Sequence, residues 1–254
     1  MRRFAVVNQK GGSGKTTTAV NLVTALGALG RRTLLVDMDP QGSASHWYRL
    51  EGGGRGLLDV LLEESELSEL IQETASPGVS LVPASNWLMT VEKLLAGEAG
   101  AESLLRPAVD RVAADGWDYL LMDCPPTLGL LTVNALVAAN EVLIPVEARV
   151  LPLHGLAQLL ETVRLVEERL NPRLRISGIL LSRVDRRTRL AQEISDDLRA
   201  RFGKLVYKAV IRENIRLAEA PSFGQPILAY AARSPAAEDF RQLAAEVVAQ
   251  ERSS

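Results

Sequence analysis

The chain has 254 residues, 47% of them hydrophobic and 24% charged, enough for one large folded unit with a sizeable core. A formal net charge of -2 gives no global basic field, so any binding to nucleic acid must rest on a local patch. Cys124 is the single cysteine and there are two histidines, which excludes an intrachain disulfide and argues against a His-rich metal site.

The first apolar run, Phe4–Asn8, reads as a strand. It ends in Asn8-Gln9-Lys10, well short of the apolar core of a signal peptide. No later stretch reaches the about 18 apolar residues of a membrane span, and the expectation is a cytoplasmic protein. The strand runs into Lys10-Gly11-Gly12-Ser13-Gly14-Lys15-Thr16-Thr17, and a helix is predicted over Lys15–Leu29. Glycines let backbone N–H groups converge on a polyphosphate, and the helix N-terminus adds partial positive charge. Gly11, Gly12, Ser13, Gly14, Lys15, Thr16 and Thr17 are therefore the candidate nucleotide-binding residues. Lys15 is a point charge for the β- and γ-phosphates, and the Thr16 hydroxyl suits Mg²⁺. The general P-loop pattern wants a glycine where Gln9 stands, so this loop is a variant, and Lys10 is a second lysine that its own phosphates do not need.

A strand over Thr33–Asp37 delivers Asp37-Met38-Asp39-Pro40-Gln41 to its C-terminal end, where open α/β sheets build their sites. Asp37 and Asp39 are two residues apart, which on an extended backbone points both to one side. Residues 51–56 read as a surface loop. Further strands are predicted at Val79–Pro83, Tyr119–Asp123, Glu141–Val146, Ile176–Arg183 and Leu205–Ile211. Helices are predicted at Val91–Leu95 with its flanks, Glu102–Asp115, Leu130–Ala139, His154–Leu170, Leu190–Phe202 and Ala236–Glu251. Several strands are continuously apolar, as in a parallel sheet buried on both faces. With the phosphate loop, the pattern predicts a single α/β P-loop NTPase domain over residues 1–254, a mostly parallel twisted sheet with helices on both faces. The strand Tyr119–Asp123 has the form of a Walker B strand and places Asp123 near Mg²⁺, through a water, since that ion sheds its hydration reluctantly. Cys124 has no histidine beside it and reads as a small buried residue, not a nucleophile. His46, His154, Trp47, Trp87 and Trp117 read as packing or surface residues.

The Lys10–Thr17 loop resembles the deviant Walker A loop of the ParA/MinD family, and Asp37–Gln41 matches that family's Asp-x-Asp-Pro-Gln motif. The segment Ile211–Gly224 is similar to the chromosomal Soj branch of ParA. The resemblance implies a weak ATPase with ATP or ADP and Mg²⁺ as cofactors, and an ATP-bound homodimer. Lys10 would reach the partner's nucleotide in the manner of an arginine finger, Asp39 would position the attacking water, and Asp37 would support the metal shell. Lys10, Lys15 and Asp39 are thus the catalytic candidates, and Thr16, Asp37 and Asp123 the metal candidates. The resemblance also implies nucleoid association through non-specific double-stranded DNA, and a ParB-like protein that stimulates hydrolysis. Arg183, Arg186, Arg187, Arg189, Arg212 and Arg216 are the candidate phosphate contacts, against the alternative that they only solvate the surface. Two departures from the family stand out: Arg149-Val150-Leu151, where an acidic residue and two aromatics are more usual, and Arg212, where proline is common. A ParA-like positioner of protein cargo, or a MinD-like membrane-associated regulator, stays open. The second needs a basic, amphipathic C-terminal helix, whereas residues 241–254 look like a packed helix. A single cysteine cannot ligate an iron–sulfur cluster.

Overall fold

The computed structural model describes residues 1–148, 153–185 and 187–251. Arg149, Val150, Leu151 and Arg186, and the side chain of His154, lie outside the described residues. Eight strands form one sheet: β1 (Arg2–Val6), β2 (Thr33–Asp37), β3 (Gln72–Glu73), β4 (Val79–Val82), β5 (Tyr119–Asp123), β6 (Glu141–Glu147), β7 (Arg175–Val184) and β8 (Val206–Arg212). Their order is β3-β4-β2-β5-β1-β6-β7-β8. Every pairing is parallel except the two-residue edge strand β3 against β4.

The helices are α1 (Lys15–Ala28), α2 (Ser43–Tyr48), α3 (Leu57–Leu61), α4 (Val91–Leu94), α5 (Leu105–Val112), α6 (Leu130–Ala138), α7 (Leu153–Arg169), α8 (Arg189–Phe202), α9 (Ile215–Glu219), α10 (Ile227–Tyr230) and α11 (Pro235–Gln250). They cover both faces. Side chains of α1, α2, α9, α10 and α11 share one apolar core with Phe4, Val6, Leu35 and Leu121, while α3 to α8 share the other with Ala5, Leu34, Val36 and Met122. Alternate residues of each central strand thus serve opposite cores, which is why the strands read as continuously apolar. Leu243, fully buried on α11, belongs to the first core. Leu243→Ala should cost about 2–5 kcal/mol through lost burial and a cavity, measured by urea unfolding.

Several boundaries shift from expectation for local reasons. β1 begins two residues early because Arg2 donates to the buried Glu141 at 2.7 Å and stacks on Phe4. It ends early because Asn8 turns away, its amide donating to the Pro145 carbonyl at 2.6 Å. The helix expected over Glu102–Asp115 is α5 flanked by two 3₁₀ turns, with Pro107 in the first turn of α5, where its missing N–H costs nothing. Ala236–Glu251 holds as α11. Its Ala237, Phe240, Leu243, Ala244 and Val247 are all buried, so this helix is packed and is not a free amphipathic anchor. Among the described residues no helix is long and apolar enough to cross a membrane.

Candidate nucleotide site

Parallel pairing puts the C-terminal ends of the strands on one rim, and β1 in the middle hands the chain directly to the phosphate loop. Gly12 and Gly14 adopt left-handed φ of 74° and 91°, a region that L side chains enter only with strain. The Gly14 carbonyl accepts from Thr18 N–H at 2.8 Å to start α1. Helix α1 has no side-chain cap and no acidic residue in its first turn, so its N-terminal N–H groups and dipole are left for an anion. The loop lines a cleft of about 790 Å³, together with Lys15, Thr16, Thr17 and Asp39, a size that suits a nucleotide. Ser182 at the end of β7 donates to the Ser13 carbonyl at 2.8 Å and braces the loop from behind.

The register aligns Asp37 with Asp123 across β2 and β5. Both are fully buried. Asp37 is committed locally: Ser45 donates to its Oδ2 through N–H at 2.8 Å and hydroxyl at 2.6 Å. This ties α2 to the sheet, and burial still pushes the Asp37 carboxyl up to about 6. β2 ends at Asp37, and Met38 N–H carries the pairing with β5 one residue further by donating to the Asp123 carbonyl at 3.0 Å. Asp39 is half-buried in the cleft and accepts from Gln41 N–H at 3.0 Å. Both oxygens of Asp123 are buried without a hydrogen-bond partner. Burial and the charge of Asp37 push its carboxyl well up, while the Thr16 hydroxyl, which approaches without closing a hydrogen bond, and Lys15 pull it down. Burial likewise lowers the Lys15 ammonium, against the pull of Asp123.

An unpartnered buried carboxylate is costly, and a hydrated divalent cation beside Thr16 would satisfy it. Among the described residues no cluster of three His, Cys, Asp or Glu could hold a metal by itself. Mg²⁺ would be held jointly by Thr16, nucleotide phosphates and water, with Asp123 supplying negative charge beside it. Cys124 is fully buried, and burial with the charge of Asp123 raises its thiol, so it is no thiolate nucleophile.

Lys10 folds back onto its own chain, its Nζ 2.8 Å from Glu147 Oε2. The far wall of the cleft is Ile211–Ile215 with Leu217, Ala218 and Pro221, a segment the sequence marked only by resemblance and not as part of the nucleotide site, and His46 and Trp47 also line it. Of the candidate DNA arginines, Arg183 and Arg212 line this same cleft. Arg212 is held by the buried Asp239 at 2.6 Å, which commits its guanidinium to the wall. Arg187 is mostly exposed and pairs with Asp185 at 2.9 Å. Arg216 on α9 pairs with Glu219 at 3.3 Å, and Arg189 opens α8 on the surface. The segments that carry Arg187 and Arg216 follow the neighbouring strands β7 and β8 and are joined by Glu213 N–H donating to the Val184 carbonyl at 3.1 Å.

A family model described as an AAA domain matches residues 1–176. The chain is 47% identical to the chromosome-partitioning ATPase Soj of Thermus thermophilus, covering 98% of this chain and 96% of that one. It is 44% identical to the chromosome partitioning protein ParA of Caulobacter vibrioides, over 99% and 96%. In three dimensions it is similar to cobyrinic acid a,c-diamide synthase of Mycobacterium smegmatis with bound ATP analog and magnesium. That similarity has a TM-score of 0.85 at 34% identity, covering 96% of this chain and 93% of that one.

Proposed function

This chain belongs to the ParA/Soj family of partitioning ATPases, and from that membership we propose that it binds MgATP, dimerises on it and holds DNA until hydrolysis lets go. The observation that carries the reading is the uncapped N-terminus of α1 opening into the cleft beside Lys15 and the orphaned Asp123. The loop amides and Lys15 hold the phosphates, and Asp39, half-buried in the same cleft, orients the attacking water. Magnesium, when bound, neutralises charge on the transferring phosphoryl group. Lys10 leaves Glu147 and reaches the nucleotide of a second copy. A ParB-like protein on the cargo stimulates hydrolysis, and the terminal phosphate is the bias on a two-state switch.

The DNA contact is assigned to Arg189 and Arg216, with Arg187 in support, on the exposed β7–β8 end of the rim. A dimer doubles this patch and so makes DNA binding depend on ATP. Affinity should be indifferent to sequence and fall steeply with salt, because phosphate neutralisation releases counterions. Replacing both Arg189 and Arg216 with Glu should weaken ATP-dependent binding by about tenfold or more while dimerisation persists. Gel shifts with MgATP at two salt concentrations check this. Undiminished binding would place the patch elsewhere, and no binding by the wild-type chain would turn the reading toward a protein cargo.

A further inference from the structure

The strand ends opposite the nucleotide rim hold a second cavity of about 230 Å³. It lies between α5, the end of α6 and the turns that lead into β6 and β7, and is lined by Arg3, Arg106, Asp110, Asn140, Asn171 and Arg173. It has less than a third of the 790 Å³ of the nucleotide cleft, which puts it below the usual size of a nucleotide site. Arg3 stands two residues before Ala5 on β1 and shares its face of the sheet, the face that α5 and α6 cover. Arg106 and Asp110 are one turn apart on one side of α5, and the loop after α7 adds Arg173.

The charges in this cavity are unequal. Asp110 is its one acidic lining residue, and it is already paired with Arg3. Among the described residues the guanidinium groups of Arg106 and Arg173 have neither an ion-pair nor a hydrogen-bond partner. Three cations against one carboxylate leave an excess of two positive charges in one concave place, on a chain of formal net charge -2. Concave walls of low dielectric concentrate such a field. The negative end of α6 offsets only about half a charge. Asn171 blunts that end further by donating to the carbonyls of Leu136 at 3.0 Å and Ala139 at 2.6 Å. We propose that this cavity binds a small dianionic phosphate, either free or as the exposed end of a phosphomonoester. Guanidinium forks match phosphate oxygens two at a time and keep their charge. The two negative charges equal the excess, and the Asn140 amide is a further donor. The site is separate from the nucleotide cleft, because parallel strands put the two on opposite rims.

Calorimetric titration of orthophosphate into the full chain tests this at pH 8 and constant ionic strength, where phosphate is dianionic. Mg²⁺ and a non-hydrolysable ATP analogue fill the nucleotide cleft throughout. Wild type should bind one phosphate saturably. R106M and R173M should each weaken it by about tenfold, and R106M/R173M should abolish it. D110N frees Arg3 from its ion pair and should tighten binding by about threefold or more, a gain that a merely structural role would not produce. Affinity for the ATP analogue should stay within about twofold of wild type in every variant. Phosphate should raise the unfolding temperature of wild type and D110N but not that of R106M/R173M. Glycerol phosphate identifies the source: binding tighter than orthophosphate assigns a phosphomonoester, weaker binding assigns the free ion, and both uphold the site. The proposal is overturned if wild-type binding does not saturate, if R106M/R173M binds phosphate as wild type does, or if D110N binds it more weakly. It is also overturned if the two arginines affect only gel shifts of duplex DNA, which would make them part of a nucleic-acid face.

Discussion

Lys15→Ala should abolish measurable ATP binding, a loss of about a hundredfold or more, whereas Asp39→Ala should bind ATP nearly normally and hydrolyse it about 10²–10⁴ times more slowly. The two effects separate because the side chains face different charges. Lys15 is 93% removed from solvent, its relative exposure being 7%, and it is the cation nearest a group of carboxylates made of Asp123, Asp39 and, behind them, Asp37. Its loss costs a charge-assisted contact to phosphate and also leaves a negative group facing an incoming polyanion. Asp39 adds negative charge to the cleft, so its removal does not harm binding of the ground state. What disappears is the group that orients water, and the bound dimer should persist. Calorimetric titration with MgATP and steady-state phosphate release distinguish the variants. Equal loss of ATP binding in both would reject the division of roles.

The phosphate loop and the acidic strand ends were legible because each is a local pattern: glycines and a lysine between an apolar run and a helix, or a carboxylate closing an apolar run. Asp37 shows the limit of such reading. Two bonds from Ser45 fix its carboxylate in a way that only the fold of α2 reveals. That helix has six residues, and α3, α9 and α10 have five, five and four, too few turns to display a period. The cleft wall from Ile211 to Ala218 escaped for a different reason. Nothing in its composition marks it, and it reaches the site only because β8 is parallel to β7 and ends on the same rim. The arginines from Arg183 to Arg189 looked like one basic run, yet a bulge in β7 sends Arg183 into the cleft while Arg187 and Arg189 stay outside, and Arg212 at the end of β8 is taken by Asp239. Charge runs are contiguous in sequence and are divided by backbone geometry.

Lys10→Ala and Asp39→Ala, each inactive alone, should recover hydrolysis when mixed. Alone, the Lys10 variant should bind ATP within a few-fold of wild type, because Lys15 and the α1 N-terminus remain, but fail to dimerise and lose about 10³-fold or more in rate, the scale of a missing charge donated in trans. Alone, the Asp39 variant dimerises and stalls. In a mixed dimer the site on the Lys10-variant chain keeps its own Asp39 and receives Lys10 from the other protomer, so it is complete. The opposite site has neither and stays silent. Recovered activity should therefore approach one working site per mixed dimer and rise with the fraction of heterodimers as one variant is titrated into the other. If Lys10 served its own chain's nucleotide, as its fold toward Glu147 in the single chain would allow, each site in the mixture would still lack one group, and no ratio of the two proteins would restore phosphate release.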